Sequence, residues 1–279
     1  MRETIEIRTP SGKSILAFKG DEITRQIEKH GEYDKDALDS IRDVLSLIKP
    51  TTSLDIGANI GNHALVIAGL TERLYAFEPV SFVHTVLQRN LDNNGARNAT
   101  ALNVGLSMGE TIQTIFVPRE HNVGCSSLEE RGMHADQQDI RLVEGDAYVA
   151  ENGIRDIDFI KIDIEGHEGE AIAGLRRTII ANQPLILMEW DQRTAEQFAA
   201  HRFFETLFEG YATFSVSRTD NKKIHPKTLL GRARRVWFRM LGKRWCLSRF
   251  DPENGYRNIY LVPKRYLETF AKFRYLSGT

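Results

Sequence analysis

The chain has 279 residues, of which 41% are apolar and 27% charged, and 37 basic against 38 acidic side chains leave a formal net charge of -1. This is the composition of a soluble globular protein with room for a substantial core, and its balance gives no global attraction to nucleic acid. Two cysteines, Cys125 and Cys246, without close spacing or a histidine companion pattern, exclude a disulfide scaffold and a structural zinc site.

Met1 to Gly12 alternate polar and apolar side chains, so no secretory signal is visible there. No run reaches the 18 or so apolar residues that a membrane span needs, and a cytoplasmic, reducing location is the expectation. Short β pieces are predicted at Thr4–Ile7 and Ser14–Phe18. A helix follows over Asp36–Leu47, because Leu38, Ile41, Val44, Leu45 and Ile48 share one face at three- and four-residue spacing. Pro50 stops it before a strand at Ser53–Ile56.

From there strand and helix alternate. His63–Ala68 reads as a helix, Arg73–Phe77 as a strand, Ser81–Asn93 as a helix and Ala99–Val104 as a strand. Asp158–Ile162 is a β-branched strand, followed by a helix at Glu168–Ile180, a strand at Pro184–Glu189 and a helix at Thr194–Leu207. Such alternation predicts an α/β fold whose mostly parallel sheet is covered on both faces. Ala212–Val216 and Asn258–Val262 read as an antiparallel pair at the sheet edge with a long insertion between them. A second insertion between Leu106 and Ile140 carries an extra strand at Thr111–Val117.

The turn Asp55-Ile56-Gly57-Ala58-Asn59-Ile60-Gly61 is the strongest local signal. Gly57 lets the backbone approach a ligand at the end of the first strand, and Gly61 lets the next helix start against it. Asn59 stands where a dinucleotide fingerprint prefers its second glycine, and Asp55 is poorly placed for a diphosphate. A cofactor carrying an amino-acid zwitterion and a sulfonium suits the turn better. Glu78 ends the next strand in Tyr75-Ala76-Phe77-Glu78-Pro79, where a carboxylate can accept both ribose hydroxyl protons.

Asp55–His63, Phe77-Glu78-Pro79, Asn103-Val104-Gly105-Leu106-Ser107 and Phe159–Glu168 together resemble the FkbM family of methyltransferases, in that order. The likeness runs from about residue 30 to about residue 215, with Asn258–Pro263 as the family's last strand. It implies a class I methyltransferase (Rossmann-like) fold, a seven-stranded sheet with one antiparallel edge strand, and S-adenosyl-L-methionine as cofactor. By that resemblance Asp55, Gly57, Asn59 and Gly61 serve the methionine part, and Glu78 holds the ribose. Asn62 and His63 border the same site, and Gly105, Leu106 and Ser107 lie near adenine. Asp146, in Glu144-Gly145-Asp146-Ala147, resembles an adenine-side acid; a surface turn is the alternative. The expected organisation is one methyltransferase domain over 1–279, with a β/helical extension at 1–49 and a basic insertion at 218–257.

Asp163, Glu165 and Glu168 follow a strongly apolar strand, with Lys161 inside it and His167 beyond it. The carboxyl edge of that strand is the one carrying Asp55 and Glu78, where an open parallel sheet holds its ligand. An alcohol acceptor must lose a proton, and His167 is the leading base candidate. Asp163 or Glu165 orients it or accepts the proton itself, with Asp163 also at the cofactor. Lys161 can instead pair with these acids. His121, in the polar loop Glu120–Ser127, is a second candidate base. No metal is expected, although Asp163, Glu165 and Glu189 carry hard oxygen donors.

Gly31-Glu32-Tyr33-Asp34 resembles the family's Gly-x-Tyr-Glu segment, with Asp34 in place of glutamate; a cover over the active site and a helix-to-helix turn are the two readings. Between Arg218 and Arg249 stand 11 basic residues against one acid, Asp220. Leu229, Ala233, Val236, Trp237, Met240 and Leu241 form one helical face there, with Arg232, Arg235 and Arg239 elsewhere. Packing on the domain, contact of 226–245 with an anionic membrane, and a partner contact are the readings that stand. No nucleic acid is expected. The function expected is O-methylation of a hydroxyl on a glycan, glycolipid or secondary metabolite. N-methylation of an amino sugar or peptide, an NAD-binding oxidoreductase and a non-catalytic nucleotide-binding domain are the alternatives.

Overall fold

β1 (Thr4–Arg8) and β2 (Ser14–Phe18) pair antiparallel in the expected hairpin. The computed structural model describes residues 2–118, 135–218 and 245–273, and between 219 and 244 only Leu229, Arg232, Ala233, Val236 and Met240. Ile15, Ala17 and Phe18 of β2 are buried, so one edge of the hairpin lies against the body of the fold. Two asparagines one helical turn apart supply that edge with partners. The Asn90 amide bonds both the N–H and the carbonyl of Leu16 (2.7 and 2.9 Å), and the Asn94 amide does the same for Ser14 (3.1 and 2.7 Å). The roughly 6 Å rise of four helical residues approximates the two-residue repeat of a strand, so these side chains imitate a neighbouring strand.

A helix not foreseen in the sequence comes next, α1 (Glu22–His30). The Asp21 carboxylate caps it by accepting the Ile23 N–H at 2.8 Å, and Gly31, at φ 81°, ends it. The expected helix, α2 (Lys35–Ile48), buries Leu38, Ile41, Val44 and Leu45 on its inner face.

The main sheet takes its strands from β3 (Thr52–Ile56), β4 (Arg73–Phe77), β5 (Ala99–Leu102), β9 (Ile157–Ile162) and β10 (Leu185–Trp190), all parallel. β11 (Ala212–Arg218), β12 (Trp245–Arg249) and β13 (Tyr256–Val262) complete it in the order β12-β11-β13-β10-β9-β3-β4-β5. Among the described residues the sheet has eight strands where seven were expected; the additional strand, β12, comes from the basic insertion. Two strands run against the parallel set: β13, which sits between β10 and β11, and β12, which pairs antiparallel with β11 and takes the edge. Ile259, Tyr260, Leu261 and Val262 are all buried, which explains the interior place, since a strand apolar on both faces must be covered on both.

Helices cover both faces. On one lie α2, α3 (Ala64–Ala68) and α4 (Ser81–Asn93); on the other lie α5 (Gly145–Glu151), α6 (Glu168–Gly174), α7 (Arg176–Asn182) and α8 (Gln192–His201). Strand alternation divides the core accordingly: Phe159, Leu185 and Leu187 pack with the first group, Ile160, Ile162, Ile186 and Met188 with the second. Lys161 therefore faces the α2–α4 side, as does its in-register neighbour Asp55.

The 106–140 insertion forms a separate sheet. β6 (Gly105–Ser107), β7 (Thr111–Pro118) and β8 (Ala135–Glu144) pair in the order β6-β8-β7. β7 was expected; the ten-residue β8 was not, because its polar run Ala135–Asp139 hides the pattern. Five positions of the basic insertion, Leu229, Arg232, Ala233, Val236 and Met240, are helical and exposed, and the rest of the expected 226–245 helix up to 244 lies outside the described residues. Among the described residues no helix is long and apolar enough to cross a membrane.

α6 ends against β6 at Gly174, where an added Cβ would lie 1.8 Å from the Ser107 carbonyl oxygen. Backbone cannot yield there. Gly174→Ala is expected to destabilise the fold by about 3 kcal/mol, read as a lower urea midpoint at unchanged slope.

Candidate functional site

β3 and β4 leave the sheet in one direction of strand order and β9 and β10 in the other, so the carboxyl ends of β3 and β9 frame the crevice. Their exits touch. The Asp163 N–H donates to the Ile56 carbonyl at 3.0 Å, and a Cβ on Gly57 would lie 2.0 Å from the Asp163 carbonyl oxygen. Gly57 also has φ 81°, a region open to glycine. Asn59 holds φ 50° without being glycine; its Oδ1 accepts the Ile60 N–H at 2.7 Å, the local bond that makes asparagine tolerant of this conformation.

This turn presents its backbone to Glu78, which follows β4. Glu78 Oε2 accepts the Asn59 N–H at 3.0 Å, and Oε1 accepts the Val80 N–H at 2.9 Å. Burial pushes the Glu78 carboxyl up to about 7, against the downward pull of those two bonds. The group is held rigidly, nearly dry, and poised between its two protonation states near neutrality.

Two cavities meet at this point. The larger, about 740 Å³, runs from Gly57, Asn59 and Glu78 past Val80 and Val83 to Leu106, Ile115, Ile140 and Leu142. Its far wall is thus built by the inserted sheet. The smaller, about 480 Å³, is lined by Tyr33, Asn62 and His63. Gly57, Asn59, Asp163 and Glu165 line both, so the junction is a glycine turn facing two acids.

Behind the junction is a buried ion cluster. Lys161 Nζ lies 3.3 Å from Asp55 Oδ1 and 3.4 Å from Asp163 Oδ2, with Asp55 fully buried and Lys161 nearly so. Burial raises the Asp55 carboxyl, against the pull of Lys161. Asp163 is held below the ordinary carboxylate range: burial pushes it up, but Lys161, His63 and Arg257 together outweigh that.

His63 is buried, and its Nε2 has no hydrogen-bond partner among the described residues; Asp34 Oδ2 stands 3.9 Å away. Desolvation, aided by Lys161, brings the imidazole down to about 3, so it is neutral. The Tyr33–Asp34 turn forms the lid of the smaller cavity. Asn62 Nδ2 donates to the Tyr33 carbonyl (3.1 Å), Asn258 Nδ2 to Asp34 Oδ2 (3.3 Å), and the Arg257 guanidinium lies over the Tyr33 ring at 5.6 Å.

Beyond β9 the chain turns through Glu165, at φ 54°, and Gly166, at φ 95°. Glu168 fixes this turn: its Oε1 accepts the Ile164 and Gly166 N–H groups (3.1 and 3.3 Å), and its Oε2 accepts from the Thr194 hydroxyl at 3.0 Å. His167 lines the larger cavity, where its Nε2 is 3.1 Å from Ser107 Oγ. Burial lowers its imidazole.

The expected site residues Asp55, Gly57, Asn59, Glu78, Gly105, Leu106, Asp163, Glu165 and His167 therefore converge on the crevice or directly behind it, with Asn62 and His63 in the adjoining cavity. Gly61 packs beneath it, where an added Cβ would lie 2.9 Å from Leu87 Cδ1. Asp146 is elsewhere. Its Oδ1 and Oδ2 accept the Thr178 and Arg177 N–H groups (both 2.8 Å) at the start of α7, and it lines neither cavity. The reason is local: an acid beside a helix start is taken by the free N–H groups of that start. His121 lies outside the described residues. The sequence reading missed Ile115, Ile140 and Leu142 at the cavity wall, and Arg257 and Asn258 at the lid; the alternation of β7 and the polar start of the last strand were the only signals. Among the described residues no three side chains are placed to hold a metal ion.

Residues 55–214 match the model of the methyltransferase FkbM domain. The chain is 29% identical over 181 residues to the methyltransferase sdnD of Sordaria araneosa, covering 54% of this chain and 70% of that one. It is 28% identical over 129 residues to the hexuronic acid methyltransferase AglP of Haloferax volcanii, covering 45% of this chain and 50% of that one. A solved FkbM methyltransferase from Methylobacillus flagellatus superposes with a TM-score of 0.46 at 17% identity, covering 77% of this chain and 44% of that one. The chain thus spans about half the length of AglP and less of the solved chain.

Glu189 lies near the end of β10, at the irregularity between Met188 and Trp190. Burial first, then Asp163, Glu165, Glu168 and Asp191, push its carboxyl up to about 8 from 4.5. The folded state thus binds a proton more tightly than the unfolded chain. That contribution is complete below 4.5 and is lost as pH rises through about 8. Glu189→Gln is expected to exceed the parent in stability by about 2 kcal/mol at pH 8.5 and to show a flatter decline from pH 5.5, measured by urea unfolding at both pH values.

Proposed function

The chain belongs to the FkbM methyltransferase family, and from that premise we propose that it is an S-adenosylmethionine-dependent O-methyltransferase acting on a hydroxyl of a glycan, a glycolipid or a secondary metabolite. The observation that carries this reading is Glu78: a buried carboxylate, locked by two backbone N–H bonds, at the mouth of a largely apolar cavity beside a glycine turn. A carboxylate so held has its remaining lone pairs free for the two hydroxyls of a ribose.

The chain's residues fit the cofactor along its length. Val80, Val83, Leu106, Ile140 and Leu142 offer an apolar slot for a purine, with His167 and Ser107 at its polar edge. Gly57 and Asn59 bring backbone to the junction. Asn62, Tyr33 and His63 line the smaller, more polar cavity suited to an amino-acid tail. When bound, the cofactor supplies an electrophilic methyl group on a sulfonium. The protein's part is to hold the acceptor oxygen in line with it and to take the hydroxyl proton.

Glu165 and Asp163 are the acids at the junction, and Asp163 is held in an ion pair with Lys161. We assign the proton to Glu165. His167 is drawn to the nucleoside wall by Ser107, so its main effect falls on cofactor affinity. The two acids also favour a hydroxyl acceptor over an amine, because they stabilise an amine as its ammonium form, which has no lone pair to attack with. The hexuronic acid methyltransferase among the relatives supports a sugar-derived acceptor.

Titration calorimetry with adenosylhomocysteine and with NAD tests the cofactor class. Binding of adenosylhomocysteine without NAD is expected; NAD binding alone overturns the proposal. Because Glu78 must be ionised to accept two hydroxyls, adenosylhomocysteine affinity should rise as pH increases through about 7, and Glu78→Ala should abolish that rise. With an acceptor found by screening extracts for added methyl groups, Glu165→Gln is expected to lower kcat about a hundredfold while leaving cofactor affinity within about threefold. His167→Ala should do the reverse; a larger kcat loss in His167→Ala than in Glu165→Gln would move the base to the histidine.

A further inference from the structure

We propose that Lys161 is a positioning residue for the cofactor: it fixes the Asp163 side chain as a carboxylate at the junction of the two cavities, where that charge receives the α-ammonium group of the cofactor's zwitterionic amino-acid end. This rests on the cofactor assignment above. The geometry is that of a strut. Lys161 lies inside β9, in register with Asp55 of β3, and its ammonium reaches both Asp55 Oδ1 (3.3 Å) and Asp163 Oδ2 (3.4 Å). Asp55 and Lys161 lie in the dry core, whereas the Asp163 side chain is 39% exposed and lines both cavities. Only one end of the cluster can meet a ligand.

Charge counting gives the sign. Two carboxylates against one ammonium leave one negative charge, and the buried member of the pair is Asp55, so the unbalanced charge has its outlet at Asp163. The backbone of Asp163 is already fixed by its bond to Ile56 and its contact with Gly57. Lys161 completes the hold on its side chain. Among the described residues, the other titratable and charged groups around Asp163 include Glu165 at the same junction, Asp55 of β3, His63 at the start of α3, Tyr33 and Asp34 of the lid, Glu189 of β10 and Arg257 of β13. Lys161 is the largest of the influences that keep Asp163 ionised against burial. A buried ion pair is a weak device for stability alone, since removing solvent from both charges offsets much of their attraction. Its placement behind a half-buried acid fits a role in setting that acid's charge.

The test measures adenosylhomocysteine affinity by calorimetry from pH 5.5 to 8.5 in the parent, in Lys161→Met and in the double variant Asp55→Asn/Lys161→Met. The double variant removes both buried charges together, so it stays folded where the single one leaves Asp55 stranded; circular dichroism and thermal melting establish which are folded. Without Lys161 the Asp163 carboxyl rises, so affinity in the folded variants should fall by about tenfold at pH 5.5 relative to the parent, with the gap closing towards pH 8.5. Equal affinity at every pH overturns the inference, and so does a loss of the same size at every pH, which marks a purely structural role. If the parent itself does not bind adenosylhomocysteine, the cofactor assignment fails instead.

Discussion

The contact on which the crevice depends is backbone against backbone. The chain leaving β3 at Gly57 and the chain leaving β9 at Asp163 approach so closely that a single methyl group would not fit between them. Adjacent parallel strands normally diverge into separate loops at their carboxyl ends. Here the pairing continues one residue past the strands through the Asp163 N–H and the Ile56 carbonyl. Two loops that would otherwise move independently therefore share one wall, and both cavities are defined by it.

Several acids gather around that wall, and they differ in state for physical reasons. Glu78 and Glu189 are pushed towards neutrality by desolvation, and Glu189 also by other acids. Asp163 is instead pulled down, because a buried ammonium stands beside it. His63, with cations near it and little water, stays neutral. The crevice is thus neither uniformly acidic nor uniformly dry. It places the Asp163 carboxylate between a larger, mainly apolar cavity and a smaller, more polar one.

Much of this was legible in the sequence because it is local. The alternation of strands and helices, the Asp55–Gly61 turn, Glu78 at a strand end and the acids after Ile162 all follow from short-range patterns, and the fold brings them to one edge as expected. What was not legible depends on distant partners. Nothing near Asn90 announces that its amide will complete the edge of β2, and nothing in the insertion announces that Ile115 and Ile140 will wall a cavity beside Glu78. Asp146 shows the same dependence: an acid in the first turn of a short helix looks alike in sequence whether or not another helix start lies against it, and here α7 does. β12 escaped notice because its strand character lies at the end of a basic stretch that reads as a helix.

The Asn90 amide reaches further than the hairpin. Besides both polar groups of Leu16 it donates to the Ile60 carbonyl at 2.7 Å, inside the glycine turn itself. One fully buried side chain therefore ties the first 20 residues to the glycine turn at the crevice. The matched family segment begins only at residue 55. A fragment cut to that segment would leave this amide facing an empty slot in the core, with two of its bonds unmade, and would lose the lid carried by Tyr33 and Asp34. The smallest unit able to present an intact crevice thus has to include the N-terminal hairpin, and changes made in that hairpin, far from any ligand, should be felt at the turn.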